Sequence, residues 1–88
     1  MSEWRTETAP ARWRRGTTEA TCLRVSHDRL REAANWCGGH TWAASVVVPL
    51  RDGEGTAGPG DWIVRYDTGE LAVWPDATFR RVWKPVIA

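Results

Sequence analysis

The chain has no apolar run approaching the ~18 residues that a membrane-crossing helix requires. It also has almost no net charge, with twelve Lys and Arg against eleven Asp and Glu. The first absence argues against a spanning helix; the second removes the overall positive field expected of a nucleic-acid binder. The first residues lack the basic-then-apolar order of a secretory signal, which points to the cytoplasm. In that compartment Cys22 and Cys37 are expected as reduced thiols, buried as small hydrophobes rather than joined in a disulfide.

Recognisable catalytic chemistry is missing too. Ser26, Ser45 and the cysteines sit in no motif that would activate a nucleophile. Asp61 and Glu70 form a conceivable acid/base pair, but an aspartate just ahead of a strand more often closes a turn by accepting backbone N–H bonds. The glycine-rich stretch 53–60 lacks the Lys-Ser/Thr ending of a phosphate-binding loop. Cys22, His27, Cys37 and His40 are the right residue types for zinc. With residues 27–37 helical, however, His27 and Cys37 stand about 15 Å apart at ~1.5 Å per residue, too far to share an ion. No enzyme activity, metal or cofactor is expected.

What the chain does have is tryptophan, seven in 88 residues. Each can bury roughly 150–250 Å², so a few supply most of a small core. Charge is unevenly spread: seven arginines and three acids lie between Arg5 and Arg31, whereas Asp52 to Asp76 is acid-rich.

Residues 1–11 show no sustained period and predict a flexible lead-in, tacked down by Trp4, ahead of a single domain over 12–88. Thr18–Val25 suits a strand, with Gly16 allowing a bend before it. Ser26 is placed to cap a helix with Asp28 in its first turn and Gly38 as its stop. Leu30, Ala33, Ala34 and Cys37 supply that helix with one apolar stripe. His40–Leu50, with three successive valines, predicts one strand covered on both faces. Arg51–Gly60 reads as a flexible loop or loose hairpin. Asp61–Tyr66, Leu71–Trp74 and Arg80–Val86 are three further strand candidates, the last two separated by a turn or short helical turn at 75–78. The expected fold class is α+β, one helix packed on a small antiparallel or mixed sheet of about five strands that can curl towards a barrel.

Gly60-Asp61-Trp62-Ile63-Val64-Arg65, Gly69-Glu70, and Pro75-Asp76 with Phe79, Trp83, Pro85 and Val86 resemble the C-terminal signature of small accessory proteins encoded by bacteriophages and prophages. Trp13-Arg14-Arg15 with Glu19-Ala20, and Trp36-Cys37-Gly38-Gly39, look like the opening and the helix end of the same proteins. The chain departs from the pattern at Trp83, where tyrosine is usual, at Lys84, which replaces an acid, and at Leu71-Ala72-Val73. The resemblance implies a viral origin, action in the bacterial host cytoplasm and a fold; it brings no catalytic residue.

Together these readings predict a non-enzymatic binding protein that occupies a host protein or sequesters a small anionic ligand. Arg12, Trp13, Arg14, Arg15, Trp42, Trp74, Arg80, Arg81 and Trp83 are its candidate contact residues. An exposed aromatic patch flanked by arginine is expected, with one or two of Trp42, Trp74 and Trp83 in it. If the two Trp/Arg clusters converge on one face, they suit an anionic ligand or acidic partner. The alternatives are nucleic-acid binding through Arg12, Arg14, Arg15, Arg80 and Arg81, and a minor structural role in the virion. On strands, though, alternating Trp and Arg also result simply from tryptophan pointing inward and arginine outward.

Overall fold

A computed structural model of the chain describes residues 7–87. Trp4 and most of the lead-in fall outside that range, while Ala11 already belongs to the first strand. The described residues form an α+β fold of eight strands and two helices.

The strands are β1 (Ala11–Arg15), β2 (Thr18–Arg24), β3 (His40–Trp42), β4 (Ser45–Leu50), β5 (Gly53–Ala57), β6 (Trp62–Tyr66), β7 (Leu71–Trp74) and β8 (Lys84–Pro85). The helices are α1 (Leu30–Cys37) and α2 (Asp76–Val82). The strands make two antiparallel sheets, a larger one in the order β7-β6-β2-β1-β8 and a smaller one in the order β3-β4-β5. The larger sheet keeps two open edges, so the expected curl towards a barrel does not close, and the single expected sheet is in fact two.

Register in the larger sheet sorts its residues onto two faces. Pairing of Trp13 with Ala20, Cys22 with Val64 and Trp62 with Trp74 collects the aromatic residues on one side. There Trp13, Ala20, Cys22, Trp62 and Val64 are buried under Phe79 and Trp83. Leu23, Val25 and Ile63 point the other way. They pack with Ala33, Ala34 and Cys37 of α1 and with Val46, Val48 and Ala57 of the smaller sheet. Both cysteines are free and buried, and burial pushes the Cys22 thiol up to about 12.

Several local expectations change. Ser26 does not cap α1. Its hydroxyl bonds the Asp28 carboxylate, and the Arg29 N–H donates to the Ser26 carbonyl at 3.0 Å, so the chain completes a turn before the helix begins at Leu30. The C-terminal stop holds: Gly38 is left-handed at φ 76°, and the Gly39 N–H donates to the Ala34 carbonyl at 2.9 Å. His40–Leu50 is two strands, not one, joined by a two-residue turn at Ala43-Ala44 in which Ala43 has φ 54°. Val47 is only half buried, so β4 is covered on one face rather than two. Arg51–Gly60 contains the hairpin partner of β4; β5 pairs Val48 with Gly55 and Pro49 with Glu54.

The largest change concerns Arg80–Val86. Only Lys84 and Pro85 are strand, and residues 76–82 are helical. Phe79, Val82 and Trp83 follow helical spacing, Pro75 holds the extended conformation before the first turn, and Asp76 reaches Arg80 one turn on at 2.9 Å. Phe79 and Trp83 therefore descend together onto the aromatic face.

Candidate functional site

Face and depth separate the nine candidate contact residues into groups. Trp13 and Trp83 are core residues, 8% and 1% exposed, and are corrected as surface contacts. Trp13 is buried because β1 alternates, with Arg12 and Arg14 on the opposite face of the sheet. Trp83 is buried because α2 turns it onto Tyr66, Trp74 and Phe79. At the centre Trp62 stacks on Phe79 with ring centroids 3.9 Å apart, and Trp13 meets both edge-on at 4.9 Å.

Arginines ring this aromatic cluster. Arg15 places its guanidinium carbon 5.4 Å from the half-buried Trp74 ring and 5.5 Å from Trp83. Arg80 lies 5.6 Å from the Trp62 ring. Asp76 ties the cluster to α2: it accepts the Trp62 indole N–H at 2.8 Å and the Arg80 Nε–H at 2.9 Å, with Arg24 Nε 3.7 Å away. Burial opposes ionisation of Asp76. The Trp62 and Arg80 hydrogen bonds and the charges of Arg80 and Arg24 prevail and hold its carboxyl below the usual range.

The two Trp/Arg clusters thus converge in part. Trp13, Arg15, Trp74, Arg80 and Trp83 share one side of the larger sheet, whereas Arg12 and Arg14 lie on the other. Arg12 is occupied there by Asp67 at 2.8 Å and Glu19 at 3.4 Å. Arg14 faces Lys84 across the β1–β8 pair, two like charges with no hydrogen-bonded or ion-pair partner among the described residues. Arg81 is exposed on α2.

Trp42 stands apart on the smaller sheet. Trp42 and its register partner Ser45, together with His40, Val47, Thr56, Pro49 and Glu54, make up the outer face of β3-β4-β5. No described element packs over that face; α1 and the larger sheet cover the opposite one. The Trp42 side chain is 72% exposed beside the turn in which Ala43 carries a positive φ. A bulky apolar ring held in water next to a non-glycine residue with positive φ is a departure from what stability alone would select.

Two clefts accompany these features. One, about 670 Å³, lies between the β4–β5 and β6–β7 turns, lined by Leu50, Leu71, Thr68 and Gly69 and spanned by the Arg51–Glu70 ion pair at 3.3 Å. The other, about 280 Å³, lies where α2 leads into β8 and is lined by Glu7, Trp13, Arg80, Trp83, Lys84 and Pro85.

Asp61 has the structural role expected for it, accepting the Gly58 N–H at 3.0 Å. Glu70 pairs with Arg51. Sequence reasoning missed Arg65, which covers the Trp36 ring at 4.3 Å and donates to the Trp36 carbonyl at 3.1 Å, and it missed Glu7. Nothing local to either residue announces a partner 29 or 73 positions away. Among the described residues no group of three or more His, Cys, Asp or Glu gathers to hold a metal ion, and no helix is long and apolar enough to cross a membrane. Comparison with protein-family models, with curated proteins and with solved structures finds no match for this chain.

Proposed function

We propose that the chain is a small non-enzymatic binding protein of a bacteriophage or prophage that acts in the host cytoplasm by occupying a host protein. Its viral origin and place of action rest on the resemblance of residues 60–86 and of the segments around Trp13 and Trp36. The binding role rests on one observation: Trp42, 72% exposed on the uncovered face of the smaller sheet. Tryptophan is enriched among residues that dominate protein–protein affinity, because one rigid ring fills a partner's pocket at little entropic cost.

Sequestration of a small ligand within the aromatic cluster is less well supported, since Trp13, Trp62, Phe79 and Trp83 already fill it by packing on one another. Nucleic-acid binding is also less well supported. Arg12 and Arg80 carry carboxylate partners, and Arg14 lies on the opposite side of the sheet from Arg15 and Arg80.

The test compares the unaltered chain with Trp42→Ser as immobilised bait in bacterial lysate, read by quantitative mass spectrometry. At so exposed a position the substitution should leave stability within about 0.5 kcal/mol. Loss of a central anchor lowers capture of the partner about tenfold or more. Identical retained proteins for both baits would overturn the reading.

A further inference from the structure

We propose that the cleft where α2 leads into β8 is a recognition site for the carboxylates of an acidic peptide, and that Glu7 is its own-chain occupant in the free protein. This site is independent of the Trp42 surface. Arg80 presents the edge of its guanidinium to Glu7 in a two-pronged contact, Nη1 to Oε2 at 3.0 Å and Nη2 to Oε1 at 2.9 Å. That geometry matches a planar carboxylate.

The guanidinium is held without help from Glu7. Its Nε–H is fixed by Asp76, and the Trp62 ring lies against it. The receptor is therefore organised before any carboxylate arrives. Around it stand the apolar surfaces of Trp13 and Pro85, which pair across β1 and β8, and the Lys84 segment of the chain. Trp83 forms part of the wall, and its buried indole N–H has no hydrogen-bond acceptor among the described residues. A buried donor left unpaired in the resting chain is unusual. At about 280 Å³ the cleft falls just short of the ~300–1,000 Å³ of small-molecule pockets and suits a side chain rather than a cofactor.

Glu7 sits in this site as a ligand would, its side chain only 16% exposed, and it is carried by a surface segment. Three residues separate it from β1, and none of residues 7–10 is buried. The Arg80 side chain is 44% exposed, so solvent screens the pair. Glu7 competes mainly because its tether keeps it at an effective concentration of order millimolar. A peptide carrying several carboxylates can displace it by offering Arg80 many equivalent partners.

The probe is a fluorescently labelled, end-blocked hexaglutamate peptide, followed by anisotropy at low salt. Glu7→Gln removes the internal competitor and should tighten binding about two- to fivefold, the range set by an exposed ion pair. Arg80→Gln in the same background should weaken it about tenfold or more. In the unaltered chain, titration should move the nuclear magnetic resonance signals of the Arg80 Nε–H and the Trp83 indole N–H. No binding by the Glu7→Gln chain, equal binding by Arg80→Gln, or both signals staying in place would overturn the proposal. So would equally tight binding of an oligothymidylate, which would make the cleft a general anion attractor.

Discussion

Trp62 and Ile63 are neighbours in one strand and belong to two differently built cores. The aromatic core holds a few large rings, and its polar atoms need partners: Asp76 satisfies the Trp62 indole, whereas the Trp83 indole has no acceptor among the described residues. The aliphatic core between the sheets uses valine, alanine and cysteine, side chains with little polar demand, and gains its density from close backbone approach. Gly39 marks that approach, since a Cβ there would stand 1.9 Å from the Val47 carbonyl oxygen. One core concentrates its stabilisation in single side chains; the other spreads it over many small contacts and is exposed to damage through the backbone.

This contrast sets an order of expected effects. Trp62→Ala should be the most damaging, at about 3–5 kcal/mol, because it empties the centre of the aromatic stack and frees Asp76. Urea unfolding measures it, and a smaller loss than that of Gly39→Ala would break the comparison. Gly39→Ala should cost about 1–3 kcal/mol, or more if β4 cannot shift, although it removes no side-chain contact. Chemical denaturation with a check of hydrogen exchange in β3 and β4 would locate the damage.

Asp76→Asn should cost least, on the order of 1 kcal/mol at neutral pH, because the carboxylate is partly solvent-screened. Its carboxyl is held below the ordinary aspartate pKa of 3.8, so the folded chain binds that proton less readily than the unfolded one. The contribution is complete above the ordinary value and is lost as pH falls through the lower folded one. The asparagine variant should therefore lose less stability than the parent on acidification below about pH 4, as thermal unfolding across pH would reveal.

How legible all this was in the sequence depends on the range of the determining contacts. The α1 stop at Gly38, the apolar stripe of α1 and the aspartate closure at Asp61 are local and readable. The turn at Ala43-Ala44 was not, because no glycine or asparagine marks it. Residues 76–82 were misread because three apolar residues at helical spacing lie among arginines and next to a strand-like ending. The spacing of Phe79, Val82 and Trp83 is the local signal for this helix. Of the candidate contacts, Trp42 was correctly picked as a ring that can lie exposed. Trp13 and Trp83 looked identical to it in sequence, and only the register of β1 and the docking of α2 distinguish core from surface.

Placement of β8 beside β1 joins residues from opposite ends of the described chain, and the aromatic core depends on that closure: Trp13 and Trp83 line one wall. A nascent chain that has reached only Tyr66 has made three of the five strands of the larger sheet, yet has neither Phe79 nor Trp83 to cover their aromatic side. Order on that side must wait for residues 79 and 83, so a sheet of β1, β2 and β6 alone stays wet on its aromatic face until α2 docks.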